Sequence, residues 1–385
     1  MKNVDLTPLT TDNWQLTMKT YRVAVIGRTG RGNYGHGLDT VWLDVPQTQV
    51  VAVADDDKIG LAAAAKRVKV DKAFADYRHM LDEMKPDIVA IAPRWLDKHA
   101  EMAIECASRG MHIYMEKPFC PTLAECDAVV AACEKRHVKM VISHQTRYSP
   151  RLDAVKKLIA EGKLGKILEY RGRGKEDPKR GGGEDTWILG SHVMDLIRAI
   201  GGHPQWCFGQ VSAGGKPIAK SDVIAGNEGI GPLAGDSIRA MYGMADGSTA
   251  YFSSYRGAGA SPSRFGLQVY GTLGVVEILT GHLPSAKFLG DPSWSPGRSG
   301  KAWQEVTSAG IGQPEPLTDG GLHGGNVLAV NDLIAAIEEN REPRGGMYEA
   351  RGATEMIVGI FESQRQGKPV TLPLENRQNP LAMLS

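Results

Sequence analysis

Over the first 145 residues, apolar positions gather into short runs separated by longer stretches of helix-forming residues. The runs fall at 22–26, 49–54, 87–92, 112–116 and 139–143, and because they are continuous rather than alternating, each predicts a strand covered on both faces. Between them, "IGLAAAAKRV", "ADYRHMLDEM", "LDKHAEMAIECASRG" and "LAECDAVVAACEKRH" predict helices, the third closed by Gly110. This alternation predicts an α/β fold, with a Rossmann-type doubly wound parallel sheet over 21–145. The pattern then changes. A helix is expected over 151–161, a strand in "KILEYRGRG", and a helix over 192–200. Period-two segments at 236–243 and 248–255 flank "ADGS", a hairpin signal, and "RFGLQVYG" and "VVEIL" continue what reads as a mostly antiparallel sheet. Residues 281–325, rich in Gly, Pro and Ser, predict a long loop, and helices are expected over 323–340 and 347–366. The expected division is an arm at 1–20, the doubly wound domain at 21–145 and an α+β domain at 146–385.

The first run leads into "YRVAVIGRTGRGNYGHG", where two glycine patterns overlap. A dinucleotide fingerprint needs a glycine directly after the strand, so the frame Gly27, Thr29, Gly32 is preferred over the complete but displaced Gly30, Gly32, Gly35. Thr29 brings a side chain where backbone should approach phosphate, which predicts use of Gly30, Arg31 and the amides around them. The second run ends at Asp55, placed to bond adenosine ribose hydroxyls, so NAD is expected over NADP. Arg28 and Arg31 argue the other way, since either suits a 2′-phosphate. The spacing from Gly27 to Asp55 exceeds the usual ~20 residues, so the intervening helix and loop must be extended. Pro93 and Glu116, at the ends of the third and fourth runs, complete the expected cofactor set.

With 385 residues, 45 basic against 44 acidic, and no basic tract, the chain suits two domains and a small-molecule partner rather than nucleic acid. Five cysteines without paired spacing indicate neither a disulfide framework nor a zinc site, and no metal is expected. The absence of a signal-like segment or membrane-length apolar run predicts a cytoplasmic protein without a membrane partner.

At the end of the 112–116 run stands "MEKPFCP", which puts Lys117 at the mouth of the sheet, in a turn stiffened by Pro118. A surface ion pair between Glu116 and Lys117 is the plainer alternative. Taken in order, "VAVIG", "VAVAD", "MEKPF", "HQTRYSP", "GSHVMD", "VYGTLG" and "GKPVTLPL" resemble the glucose-fructose oxidoreductase and inositol dehydrogenase family over nearly all of 21–380. The resemblance implies a second domain whose open-faced sheet serves homo-oligomerisation, as dimer or tetramer. It also implies hydride transfer between nicotinamide and a carbinol carbon of a sugar, cyclitol or related compound. In that frame Lys117 touches the nicotinamide ribose and the reacting hydroxyl, and His192 accepts the proton, a role that fits an imidazole titrating near neutral pH.

Helical spacing sets His192, Asp195 and Arg198 along one polar stripe, which alone reads equally as an ordinary solvated face with an Asp195–Arg198 pair. The family's aspartate four residues before the histidine is here Ile188, in "ILGSH". Glu184, Asp185 or Asp195 are the candidates to replace it, although Glu184 and Asp185 also read as a solvated loop. Further candidates are Gln145, Arg147 and Tyr148 at the hinge, Arg173 and Lys175 after a strand, and Trp187, which suits either a sugar face or the core. His99 and His144 lie near strand ends, and Cys120 reads as a small buried side chain. Three functions follow: an NAD-dependent dehydrogenase, an NAD-retaining glycoside-cleaving enzyme with His144 or Tyr148 as an extra base, or a non-catalytic NAD-binding regulator.

Overall fold

The computed structural model describes residues 19–384, so all but the last two residues of the expected arm lie outside the described residues. Six parallel strands form the first sheet: β1 (Tyr21–Ile26), β2 (Thr48–Ala54), β3 (Ala73–Phe74), β4 (Ile88–Ile91), β5 (His112–Met115) and β6 (Met140–Ile142), in the order β3-β2-β1-β4-β5-β6. Every residue of β4 and β6 is buried, which is why these strands read as unbroken apolar runs. The two-residue β3 was too short to leave a pattern. Helices α1 (Lys58–Val68), α2 (Tyr77–Met84), α3 (His99–Ser108) and α4 (Leu123–Arg136) connect the strands. Their starts are capped as their sequences dictate: Asp57 accepts from the Gly60 amide, Asp76 from Arg78, and Thr122 from Glu125.

One expectation fails between β1 and β2. No extended helix follows the glycine loop; two 3₁₀ turns, Gly35–Gly37 and Val41–Asp44, take its place. Asn33 and His36 sit in left-handed backbone, and Gly37 has φ +82°, so the segment cannot wind regularly. The sheet face it leaves open is covered from far along the chain. Ala329, Val330, Leu333 and Ile334 pack into one core with Val23, Val25, Leu38 and Trp42.

After helix α5 (Pro150–Ala160), a second sheet is built from β7 (Ile167–Arg173), β8 (Pro204–Ala213), β9 (Lys216–Pro217), β12 (Ser237–Met244), β13 (Thr249–Tyr255), β14 (Gly266–Gly271), β15 (Gly274–Leu279), β16 (Ala286–Leu289), β17 (Gln304–Thr307), β18 (Gly310–Ile311) and β19 (Val370–Thr371). A separate hairpin, β10 (Ile224–Ala225) with β11 (Pro232–Leu233), sits between β9 and β12. All neighbours in the large sheet are antiparallel except β7 and β13. The expected long loop at 281–325 is therefore corrected in part: it contributes three strands at one edge and a short helix, α8 (Pro296–Ser299). Helices α6 (Gly183–Ile188), α7 (Gly190–Gly201), α9 (Leu322–Glu338) and α10 (Met347–Gln366) complete the fold. The face of α7 bearing Val193, Leu196 and Ile197 enters the core with Tyr242 and Phe252 of the sheet and Ile357 and Phe361 of α10. That packing fixes the rotation of α7, and with it the direction in which His192 points.

Candidate functional site

Strand order reverses between β1 and β4, and ligands of such sheets lie in the crevice at the carboxyl ends of the strands around that point. Gly27, Pro93, Glu116 and Lys117 all sit there. The glycine loop folds tightly: the Arg31 and Asn33 amides bond the Arg28 carbonyl, and the Gly30 amide bonds the Asn33 side chain at 2.9 Å. Gly32, at φ +90°, presses on the backbone of Arg94 and Trp95, where a Cβ would collide. Thr29 does not obstruct the loop's open side. Its hydroxyl and amide donate to Asp55 at 2.7 and 3.1 Å, so the loop and the acidic residue of β2 form one unit. Beside them a cavity of about 280 Å³ is lined by Gly27, Asp55, Asp76, Tyr77 and Arg78. Arg28 pairs with Asp97 and Arg31 lies over Trp95, so both arginines weighed for a 2′-phosphate are engaged with side chains of the β4–α3 connection. Asp55 is itself buried, both its oxygens accepting from Thr29 or the Asp57 amide, so it braces the glycine loop where an open ribose acceptor was expected; the loop at the strand end fits a dinucleotide.

Glu116 and Lys117 are both buried, so the surface ion pair is ruled out. Glu116 accepts from the Lys117 amide at 2.7 Å and pairs with the His36 ring. Burial opposes its ionisation, but the His36 contacts and Lys117 outweigh that and lower its pKa. Among the described residues the Lys117 ammonium has a single hydrogen-bond partner, the carbonyl of Ile188, at 3.0 Å. Ile188, where the resemblance implied an aspartate, thus supplies a backbone oxygen to the lysine. Burial depresses the lysine pKa, and Glu116 partly offsets it. His99 braces this turn: its ring nitrogens lie 2.7 Å from the Pro93 carbonyl and 2.9 Å from that of Pro118, tying the ends of β4 and β5 together.

Helix α7 brings His192 to the same crevice. No carboxylate touches it. Asp195 points from the next turn to Arg147, which donates at 2.9 and 3.0 Å, while Arg198 pairs instead with Glu349, so the expected Asp195–Arg198 contact is replaced. Between Asp195 and His192 stands His144. Its Nδ1 is 3.9 Å from the Asp195 carboxylate, its ring meets His192 edge-on at 5.4 Å between centroids, and its buried Nε2 has no partner among the described residues. Burial pushes the His144 pKa down to about 4. His192 is driven well below the usual imidazole value, first by burial and then by Lys117, His144 and His36. Both rings are therefore neutral at physiological pH.

The remaining candidates are distributed differently. Glu184 and Asp185 lie buried on α6 rather than in a solvated loop; Asp185 accepts from the Glu176 amide, and Glu184 from Asn227. Trp187 is 2 % exposed and packed in the core, away from any open sugar-binding face. The Tyr148 hydroxyl is committed to Asp332 and the Gly345 amide. Lys175 is exposed and Arg173 pairs with Glu176. Gln145 bonds Asn326, and Cys120 is buried. His36, Arg94 and Asn326 escaped the sequence reading, because no periodicity or spacing marks a residue that a glycine turn carries across a sheet mouth. Among the described residues no group of His, Cys, Asp or Glu is arranged to hold a metal, and no helix is long and apolar enough to cross a membrane.

A doubly wound parallel sheet with a glycine loop at the end of its first strand belongs to the class of dinucleotide-binding folds. The chain belongs to the Gfo/Idh/MocA oxidoreductase family: residues 21–144 match its NAD-binding Rossmann fold and 156–372 its C-terminal alpha/beta domain. It is similar to levoglucosan dehydrogenase of Pseudarthrobacter phenanthrenivorans (26% identity, 60% of this chain and 65% of the relative). It is also similar to D-apiose dehydrogenase of Paraburkholderia graminis (27%, 54% and 56%) and to the NADP(+)-dependent scyllo-inositol 2-dehydrogenase IolW of Bacillus subtilis (28%, 50% and 55%). The chain thus matches less than two thirds of the length of each of these relatives. In fold it is similar to levoglucosan dehydrogenase in complex with NADH and L-sorbose (TM-score 0.75, 20% identity, 92% of this chain and 100% of that one).

Proposed function

We propose that the protein oxidises or reduces a carbinol carbon of a sugar, cyclitol or glycoside with bound NAD, Lys117 and His192 handling the hydroxyl proton. The observation that carries this reading is the buried Lys117 ammonium, held on the Ile188 carbonyl, in a crevice that also receives the neutral His192. Bound at the glycine loop, NAD would supply the hydride acceptor or donor. The chain's own residues do the rest: Lys117 donates to the substrate oxygen and stabilises negative charge developing on it, while His192 takes the proton. The named relatives point to levoglucosan, D-apiose and scyllo-inositol as first substrates to try. The test is NADH formation from NAD and that panel; silence throughout, in protein that binds NAD, would defeat the dehydrogenase reading.

A second reading, redox-neutral glycoside cleavage, is favoured by one observation. It needs a base for the proton on the carbon next to the transient ketone. Of the two side chains considered for this, Tyr148 is committed and His144 has a free ring nitrogen. Release of p-nitrophenol from nitrophenyl glycosides without net NADH would establish it; NADH accumulation without release would exclude it. The same proposal places the protein in the cytoplasm as a homo-oligomer.

A further inference from the structure

We propose that His36 binds the nicotinamide-ribose half of the dinucleotide, an assignment that rests on NAD binding by this domain. The loop after β1 is bonded to the end of β4, Gly35 amide to Ala92 carbonyl at 2.7 Å, and then carries His36 across to Glu116 at the end of β5. The adenosine-side acid, Asp55, is at the end of β2 on the other side of β1. His36 therefore stands on the Lys117 side of the crevice.

The surroundings are shaped to present this one side chain. A Cβ at Gly35 would lie 2.5 Å from a Glu116 oxygen and 2.7 Å from Arg94 Cγ, so position 35 admits only glycine if Glu116 is to reach the ring. Gly37 supplies a positive φ, and His36 itself sits at φ +47°, a conformation uncommon outside glycine and concentrated at functional sites. Asn326, fully buried on α9, donates to the His36 carbonyl at 2.8 Å and is itself fixed by Tyr114 and Gln145. Nδ1 is taken by Glu116. Among the described residues Nε2 makes no hydrogen bond, and the side chain is 32% exposed. A ring anchored on one nitrogen and open on the other offers a single directed hydrogen bond to a ribose hydroxyl or the carboxamide of nicotinamide.

His36→Asn tests this, because asparagine tolerates the left-handed backbone and retains a donor for Glu116. Titration of NADH and of ADP, which lacks the second ribose, separates the halves. NADH affinity is expected to fall about tenfold or more with ADP affinity within about twofold of wild type. Equal losses for both ligands, or no loss for either, would overturn the assignment. Should the variant fail to fold, the wild type still decides: carbethoxylation of His36 by diethyl pyrocarbonate, read by peptide mass, should be slowed by NADH and not by ADP. Equal rates with and without NADH would sink the proposal, whereas failure of wild type to bind NADH would sink the NAD reading beneath it.

Discussion

The Lys117 charge acts on His192, and under the proposed mechanism that influence bears on the pH at which the site works. In the proposed mechanism the neutral His192 imidazole is the base, and burial, then the neighbouring Lys117 charge, push its pKa well below the usual value by penalising the imidazolium. A depressed pKa keeps the neutral form present at lower pH, so the acid limb of kcat/KM is expected below pH ~6.5. A limb at or above that value would show that another group is being titrated. Lys117→Ala should lower turnover by about 10²-fold or more while NAD binding stays within a few-fold, and His192→Asn should behave similarly. Wild-type turnover in either variant would move the chemistry elsewhere. Both residues were legible in the sequence through "MEKPF" and "GSHVMD". Their partners were not, because Lys117 is held by a backbone oxygen of Ile188, and main-chain acceptors carry no sequence signature.

Helix α7 shows what an element adds. The spacing of His192, Asp195 and Arg198 correctly set one polar stripe, but the polar partners come from elsewhere: Arg147 from the segment after β6 and Glu349 from α10. Asp195 is fully buried; burial opposes its charge, and Arg147 with His144 holds its carboxyl below the usual range nonetheless. Asp195→Asn leaves Arg147 buried with the more distant Glu349 as its carboxylate partner, so a stability loss of about 3 kcal/mol or more is expected in denaturant titrations. A variant as stable as wild type would mean that Arg147 and Glu349 suffice. Buried strands were readable because continuous apolar runs have few other uses. Less readable were β8, the edge strands within 281–325, and the turns after Gly27. Gly209 of β8 packs against the Ile360 backbone, and a glycine needed for that approach weakens the very pattern that marks a strand.

At the scale of the molecule, the two halves are not independent, since α9 completes the core of the first sheet and Asn326 reaches the crevice mouth. The second sheet carries helices on one face, and its other face is open. There Glu169, Arg171, Arg173, Tyr251, Ser253, Gln268 and Glu277 line a groove of about 700 Å³. Many of these groups already satisfy one another: Arg171 pairs with Glu169 and lies over Tyr270, Gln268 bonds Glu277, and Arg173 pairs with Glu176. A face so neutralised loses little electrostatically when a second copy covers it, and a two-fold pairing would bring each patch against itself. A homodimer through this sheet, burying on the order of 1,600 Å² in total, is therefore expected in sedimentation velocity at micromolar protein. Tyr251, 38% exposed within the groove, is the place to break it. Tyr251→Arg sets an unpaired charge against its own symmetry mate and should shift the species to monomer without altering NADH affinity. A wild-type monomer at those concentrations would refute the dimer, and an unshifted variant would move the interface to another surface.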